Sequence, residues 1–155
     1  MNCNENTVLV VKNYDKIDGY NAYVSQIKCL SLGVEPQEDR QRTRINAKVW
    51  KESEKEGMTE LAELELHQVL DLAIFSCQSL EYFQEAYRFP KLYDPENPCV
   101  ERIGLQGNVM PVTICTDNEM LDSDIEGLSL AVNRQGDMIG ERLRVLSRLL
   151  EEMGY

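Results

Sequence analysis

From Leu66 to Phe89 apolar residues recur at the period of an α-helix with no glycine or proline to interrupt them, and Pro90 closes the run. Plotted at 100° per residue, Val69, Leu72, Ala73, Leu80, Phe83 and Tyr87 fall on one broad face, widened by Phe75, Tyr82 and Ala86. His67, Asp71, Gln78, Glu81, Glu85 and Arg88 collect on a narrow opposite stripe. A broad apolar face of this kind calls for cover on more than one side. Proline disfavours the helical region for the residue before it, so the helix is expected to stop at Phe89. At 1.5 Å per residue it would be about 36 Å long. A domain of 155 residues has a radius of gyration of about 15 Å, so the helix would cross nearly all of it.

The other elements are placed around that spine. Thr7–Val11 is β-branched and short, as an edge strand is. Ala22–Gly33 and Arg44–Lys51 have period-two character, the second with Ile45, Ala47 and Val49 on an inner face and Arg44, Asn46 and Lys48 on a wet one, which also carries Trp50. The polar stretch from Gly33 through Pro36 to Thr43 joins them as a long-looped antiparallel hairpin. Lys51–Gly57 reads as a charged, solvated connector, and Thr59 as the cap of a short helix or turn. Beyond the long helix, Leu92–Pro98 is a series of tight turns, with Asp94 and Pro95 in the first and second positions of one. Gly104–Asn108 is another turn, and Val109–Cys115 is a last strand with Val112 and Ile114 facing in. Ser123 and Glu126 have capping-box spacing. Asp137 caps a final helix striped by Ile139, Leu143, Leu146, Leu149, Leu150 and Met153 and ended by Gly154. Segregated strands and helices predict an α+β fold, a hairpin-based antiparallel sheet packed on a long central helix with two C-terminal helices, as one domain over residues 1–155.

Composition excludes several classes of function. Sixteen Lys and Arg stand against 27 Asp and Glu, a net charge of −11, which repels phosphate backbones and anionic lipids, so neither nucleic acid nor membrane is an expected partner. The densest basic group, Arg40, Arg42, Arg44 and Lys48, reads as a solvated strand edge. No apolar run approaches the roughly 18 residues of a membrane span, and the start of the chain lacks the pattern of a secretory signal, which predicts a cytoplasmic protein. Cys3, Cys29, Cys77, Cys99 and Cys115 are scattered and odd in number, and are expected to be reduced and mostly buried. With one histidine in the chain, no metal or other cofactor is expected.

The stretches Cys29–Gly33, Val69–Ala73, Tyr82–Arg88, Leu92–Pro98, Gly104–Gly107 and Ile139–Leu143 resemble a family of small bacterial proteins of unknown function. The resemblance spans most of the chain and implies one intact domain. It implies no activity, cofactor or site.

Two constellations are candidate sites. His67 and Asp71 stand one helical turn apart, so the carboxylate could orient an imidazole acting as general base, with Glu81 and Glu85 further along the same stripe. The competing reading is a polar face in water. The second constellation is the aromatic turn, in which Tyr82, Arg88, Tyr93, Asp94, Glu96 and Asn97 supply residue types common at binding hot spots; any pocket is expected where it meets Tyr14, Tyr20 and Tyr23. Here the competing reading puts Tyr82 and Tyr87 in the core and has Tyr93 pin the loop. Asp122–Gly127 partly fits the start of a calcium loop, but Asn133 stands where a bidentate glutamate is needed. Cys77 lies ten residues of helix from His67, about 15 Å, out of reach for a nucleophile–base pair. The sequence therefore predicts a non-catalytic binding or interaction domain for a protein partner, a second copy in a homodimer, or a small ligand. A hydrolase or isomerase using His67, Asp71, Glu81 and Glu85 is the alternative.

Overall fold

A computed structural model describes residues 6–19, 25–35 and 38–155. The expected features at Cys3, Tyr20, 22–24 and Pro36 lie outside the described residues. The chain divides into two compact units, Met1–Ile74 and Phe75–Tyr155. Among the described residues the elements make an α+β protein, with one four-stranded antiparallel sheet, one two-stranded sheet and three α-helices. Among the described residues no helix is long and apolar enough to cross a membrane.

The first unit is an antiparallel meander of β1 (Thr7–Lys12), β2 (Ile27–Glu35), β3 (Arg44–Ser53) and β4 (Gly57–Glu65), paired in sequence order with β1 at an edge. The β2–β3 hairpin has the long loop that the polar stretch predicts, and its register pairs Leu30 with Val49 and Leu32 with Ala47. The expected charged connector is much shorter. Its ends belong to strands, and only residues 54–56 turn the chain before Gly57, whose φ of +70° lies where a side chain would be strained. Thr59 is accordingly a residue of β4, not a helix cap. Strand β4 escapes period-two reading because a register shift opposite Val49 and Trp50 breaks its alternation.

The buried face of β3 is the opposite of the expected one. Asn46 and Trp50 are buried, with Cys29 and Ser31 of β2 on the same face, while Ile45 is 45% exposed. The polar groups on this face are bonded across strands. Trp50 Nε1 donates to Ser31 Oγ at 2.8 Å, Asn46 Nδ2 donates to Glu63 Oε1 at 2.6 Å, and Lys48 Nζ donates to Glu60 Oε2 at 3.0 Å. The Lys48 ammonium also stands 5.8 Å from the centre of the Trp50 ring, within cation–π range. An indole is the largest apolar payload in the strand, and once its N–H and the flanking polar groups have partners, burying it outweighs burying Ile45. Next to Cys29, the register partner of Trp50, Lys28 Nζ donates to Asp15 at 2.7 Å, and that bond holds the Asp15 carboxyl below its usual range.

Helix α1 (Leu66–Gln84) ends five residues before Phe89. Glu85 leaves the helical region, and Ala86–Arg88 form one tighter turn whose bonds run from Arg88 N to Glu85 O and from Phe89 N to Ala86 O. The apolar face of α1 is less covered than its width implies. It has no buried residue, and Tyr87, at 81% exposed, is outside the core.

In the second unit β5 (Cys99–Gly104) and β6 (Val109–Thr113) form a hairpin across the expected 104–108 turn, closed by Leu105 N to Asn108 O at 2.9 Å. Val112 and Ile114 point inward and Thr113 and Cys115 outward, as their alternation predicts. The core is the cluster of Tyr93, Ile114 and Ile125, against which Tyr82, Phe83, Leu92, Val100 and Leu121 pack. Helix α2 (Leu121–Arg134) starts two residues before Ser123, so Ser123 and Glu126 do not cap it. Asn118 organises its start instead, accepting from Met120 N at 2.9 Å and donating to Asp124 Oδ2 at 2.8 Å. Asp122–Gly127 is therefore helix and not a cation loop. Helix α3 (Gly136–Met153) follows through the single residue Gln135, which replaces Asp137 as its N-cap, and Gly154 ends it at φ +91°. Of the described cysteines, Cys29 is buried, Cys77 and Cys99 are half-buried and Cys115 is exposed, so burial is less general than expected.

Trp50→Ala is expected to cost about 3–5 kcal/mol in unfolding free energy, and Ser31→Ala about 1–3 kcal/mol through the orphaned indole N–H, both read by denaturant titration. The hydrogen bond to Glu60 raises the Lys48 ammonium above its ordinary value of 10.5. Its contribution is thus complete below that pH and is lost as pH rises through the higher folded value. Lys48→Met should flatten the alkaline limb of a stability-against-pH curve.

Candidate functional site

The aromatic turn is built by the end of α1 and the chain after it. Leu92 takes a left-handed φ of +64°, a conformation uncommon for leucine that reverses the chain and places Tyr93 inward, where it is 7% exposed. Asp94 Oδ1 accepts from Glu96 N at 3.0 Å and Asp94 O accepts from Asn97 N at 3.2 Å. Proline in the second position and aspartate in the first do what those residue types do in a turn. Asp94 and the backbone of Glu96 and Asn97 are thus engaged in shaping the loop.

The aromatic rings hold it from the helix side. Tyr82 meets Phe83 edge-on at 5.4 Å between centroids and stacks on Phe89 at 6.5 Å. Arg88 lies over the Phe89 ring at 5.2 Å and pairs with Glu85 at 3.4 Å. Tyr82 and Tyr93 face the core of the second unit and Arg88 faces solvent, so the six expected binding residues make a structural corner with an exposed cationic edge.

Beside this corner a partly open cavity of about 260 Å³ enters the unit. Tyr82 and Phe83 from α1, Val112 and Ile114 from β6, and Ile125 and Leu128 from α2 form its walls. Its polar atoms are few. The Ser79 hydroxyl already donates to the Phe75 carbonyl at 2.8 Å, and the Asp124 carboxylate accepts from Asn118. The remaining lining is carbon, with the Thr113 hydroxyl and the Cys115 thiol on the exposed side of the strand. Val112, Ile114, Ile125 and Leu128 were absent from the sequence-derived candidates. Their only sequence signal is the period of apolar residues, which is the same in a filled core and a hollow one.

The His67 stripe is arranged differently. His67 is exposed at the start of α1, and its Nδ1 stands 3.5 Å from Glu65 Oε2, so the carboxylate beside the imidazole is not Asp71. Asp71 is half-buried in the first unit. Glu81 and Glu85 belong to the second unit, where Glu81 accepts from Gln78 Nε2 at 3.0 Å and Glu85 pairs with Arg88. Among the described residues no three His, Cys, Asp or Glu side chains gather as a metal-binding group.

A polar cleft of about 200 Å³ lies in the first unit, lined by Ser31, Gly33, Asn46, Lys48 and Glu63 among others. Its side chains are those of the cross-strand network described above. Most are engaged with one another, which makes the cleft a consequence of the sheet's electrostatics.

A model of a family of unknown function, DUF6530, matches residues 1–155 of the chain. No curated protein and no solved structure matches it.

Because Tyr93 anchors the turn and Tyr87 stands in water, Tyr93→Ala should lower the stability of the protein by about 3–5 kcal/mol. Tyr87→Ala should stay within about 0.5 kcal/mol of wild type in the same denaturant titration.

Proposed function

The chain belongs to the family of unknown function DUF6530, and we propose that it is a non-catalytic binding domain whose ligand is a small, mainly apolar molecule held beside the aromatic turn. The observation that carries this reading is the cavity of about 260 Å³ walled by Tyr82, Phe83, Val112, Ile114, Ile125 and Leu128. Binding sites for small molecules are concave, mostly apolar and supplied with few polar groups. An apolar cavity of roughly 150 Å³ is already enough to take up benzene, so this one has room for a substituted single ring or a short branched chain. Tyr82 and Phe83 offer ring edges and faces to such a ligand.

An acid–base reaction on the α1 stripe draws no support from the geometry around His67, where the adjacent carboxylate is that of Glu65 at the exposed helix start. A reducing, cytoplasmic setting suits the free thiols of Cys77, Cys99 and Cys115. The net charge of −11 favours ligands that are neutral or cationic over phosphorylated ones.

Thermal unfolding against single-ring aromatic and short branched aliphatic compounds tests the reading. A binder at a hundred times its dissociation constant adds about 2.7 kcal/mol, a rise of several degrees in Tm for a protein of this size. Leu128→Trp places an indole at the cavity mouth and should abolish that rise while leaving the unliganded Tm within a few degrees of wild type. A flat response of the wild type to every compound, or an equal response of the variant, would sink the proposal.

A further inference from the structure

We infer that the ligand of the apolar cavity is a small monoamine, a single ring or short branched chain bearing one ammonium group, and that Asp124 holds that group. The inference rests on the reading of the cavity as a binding site and adds the charge of what enters it. Among the described lining residues Asp124 is the one side chain charged at neutral pH. The rest of the lining is aliphatic and aromatic, with the hydroxyls of Ser79, Tyr82 and Thr113 and the thiol of Cys115 as its other polar side-chain atoms. Asp124 lines the cavity and is also exposed, which puts its carboxylate at the mouth.

That carboxylate is held in place and only partly used. Asn118 Nδ2 donates to Oδ2 at 2.8 Å, and Asn118 is itself fixed, its N–H on the Cys115 carbonyl at 3.1 Å and its Oδ1 accepting from Met120 N at 2.9 Å. An ionised carboxylate has about four lone-pair sites, so Oδ1 is left to accept from a ligand. Asp122, two residues earlier, has a cation of its own in Lys91 at 3.6 Å, and Asp124 has none among the described residues. Both acids stand in the first turn of α2, where the macrodipole favours negative charge. Neither that field nor the bond from Asn118 occupies Oδ1.

A cationic nitrogen on a small carbon body matches this arrangement. An alkylammonium is protonated at neutral pH, as a lysine side chain is, and its hydrogen bond to a carboxylate is of the strong, charge-assisted kind. The carbon body then fills the space walled by Phe83, Ile114 and Ile125. The rings of Phe75, Tyr82 and Phe83 also line the cavity, and aromatic faces attract a cation where aliphatic walls do not. A ligand carboxylate would bring like charge against Asp124, and a neutral ligand would leave Oδ1 without a donor of its own.

Calorimetric titration of the full chain with benzylamine, benzyl alcohol and benzoate, which share a ring and differ in the charge of one group, tests the inference. Isopentylamine, isopentanol and isovalerate make the same comparison on a branched chain. In whichever series binds, the amine should bind about five- to tenfold more tightly than the alcohol, the gain of a charge-assisted hydrogen bond at a half-open mouth, and the anion more weakly than either. Asp124→Asn keeps an acceptor for Asn118 and should bring the amine down to the affinity of the alcohol, with that of the alcohol unchanged. Glu126→Gln removes the same charge from an exposed position of α2 outside the cavity lining and should preserve the preference. Should Asp124→Asn fail to fold, the wild type decides, since the side-chain carboxyl carbon resonance of Asp124 should move on titration with the amine and hold still with the alcohol. An alcohol that binds as tightly as the amine, a preference that survives in folded Asp124→Asn or vanishes in Glu126→Gln, or an unmoved Asp124 resonance would each overturn the inference and leave the cavity reading standing. Binding by none of the six compounds would overturn both.

Discussion

Apolar surface in this chain is spread over more faces than its two units can bury, and the structure is organised by where burial succeeds. In the first unit it succeeds around Trp50, which is 3% exposed and tethered by its indole N–H to Ser31. In the second it succeeds around Tyr93, Ile114 and Ile125. These centres are small. Buried apolar contact is the main favourable term in folding, so everything far from Trp50 or Tyr93 is held chiefly by strand pairing, turn geometry and helix caps.

The first unit turns a polar strand face into its inside by pairing opposite charges across strands. Asn46, Lys48 and Trp50 of β3 look onto Glu60 and Glu63 of β4, and the acids that make the chain so negative overall become the partners that let the indole go under. Half-buried pairs of this kind cost desolvation and recover it through short hydrogen bonds, with the gain resting on complete satisfaction of the network. Lys48 is its hub, bonded to Glu60, 3.7 Å from Glu63 and near the face of Trp50.

The second unit leaves room where the first fills it. Its wall residues come from the end of α1, from β6 and from α2, three elements that converge on Tyr93 without closing over the space beside it. Helix α1 stops at Gln84 and the turn through Leu92 bends back, so Tyr82 and Phe83 are the last helical residues to face that space. A longer helix of the kind its periodicity predicts would carry Tyr87 inward; the early stop leaves that ring in water.

Local chemistry was legible in the sequence wherever one residue acts on its own neighbours. The Asp94–Pro95 turn, the Gly104–Asn108 turn, the inward Val112 and Ile114, the Gly154 stop and the helical run from Leu66 all follow from backbone preferences and periodicity. What needed the tertiary structure was every question of which face wins. The polarity of β3 pointed to Ile45 as buried, and only the cross-strand partners Ser31, Glu60 and Glu63 make Asn46 and Trp50 the inner residues. Strand β4 was hidden because the register shift opposite Val49 and Trp50 breaks its alternation, so that Thr59 reads as the cap of a short helix or turn. His67 and Asp71 share a stripe by spacing, yet an imidazole at the first turn reaches the strand residue Glu65 instead. The apolar period of β6 and α2 is the same whether the space between them is filled or open. A sequence determines which conformations each segment prefers and which residues want to leave water, because those terms are local; which surfaces meet is decided by pairing and packing between segments far apart in the chain.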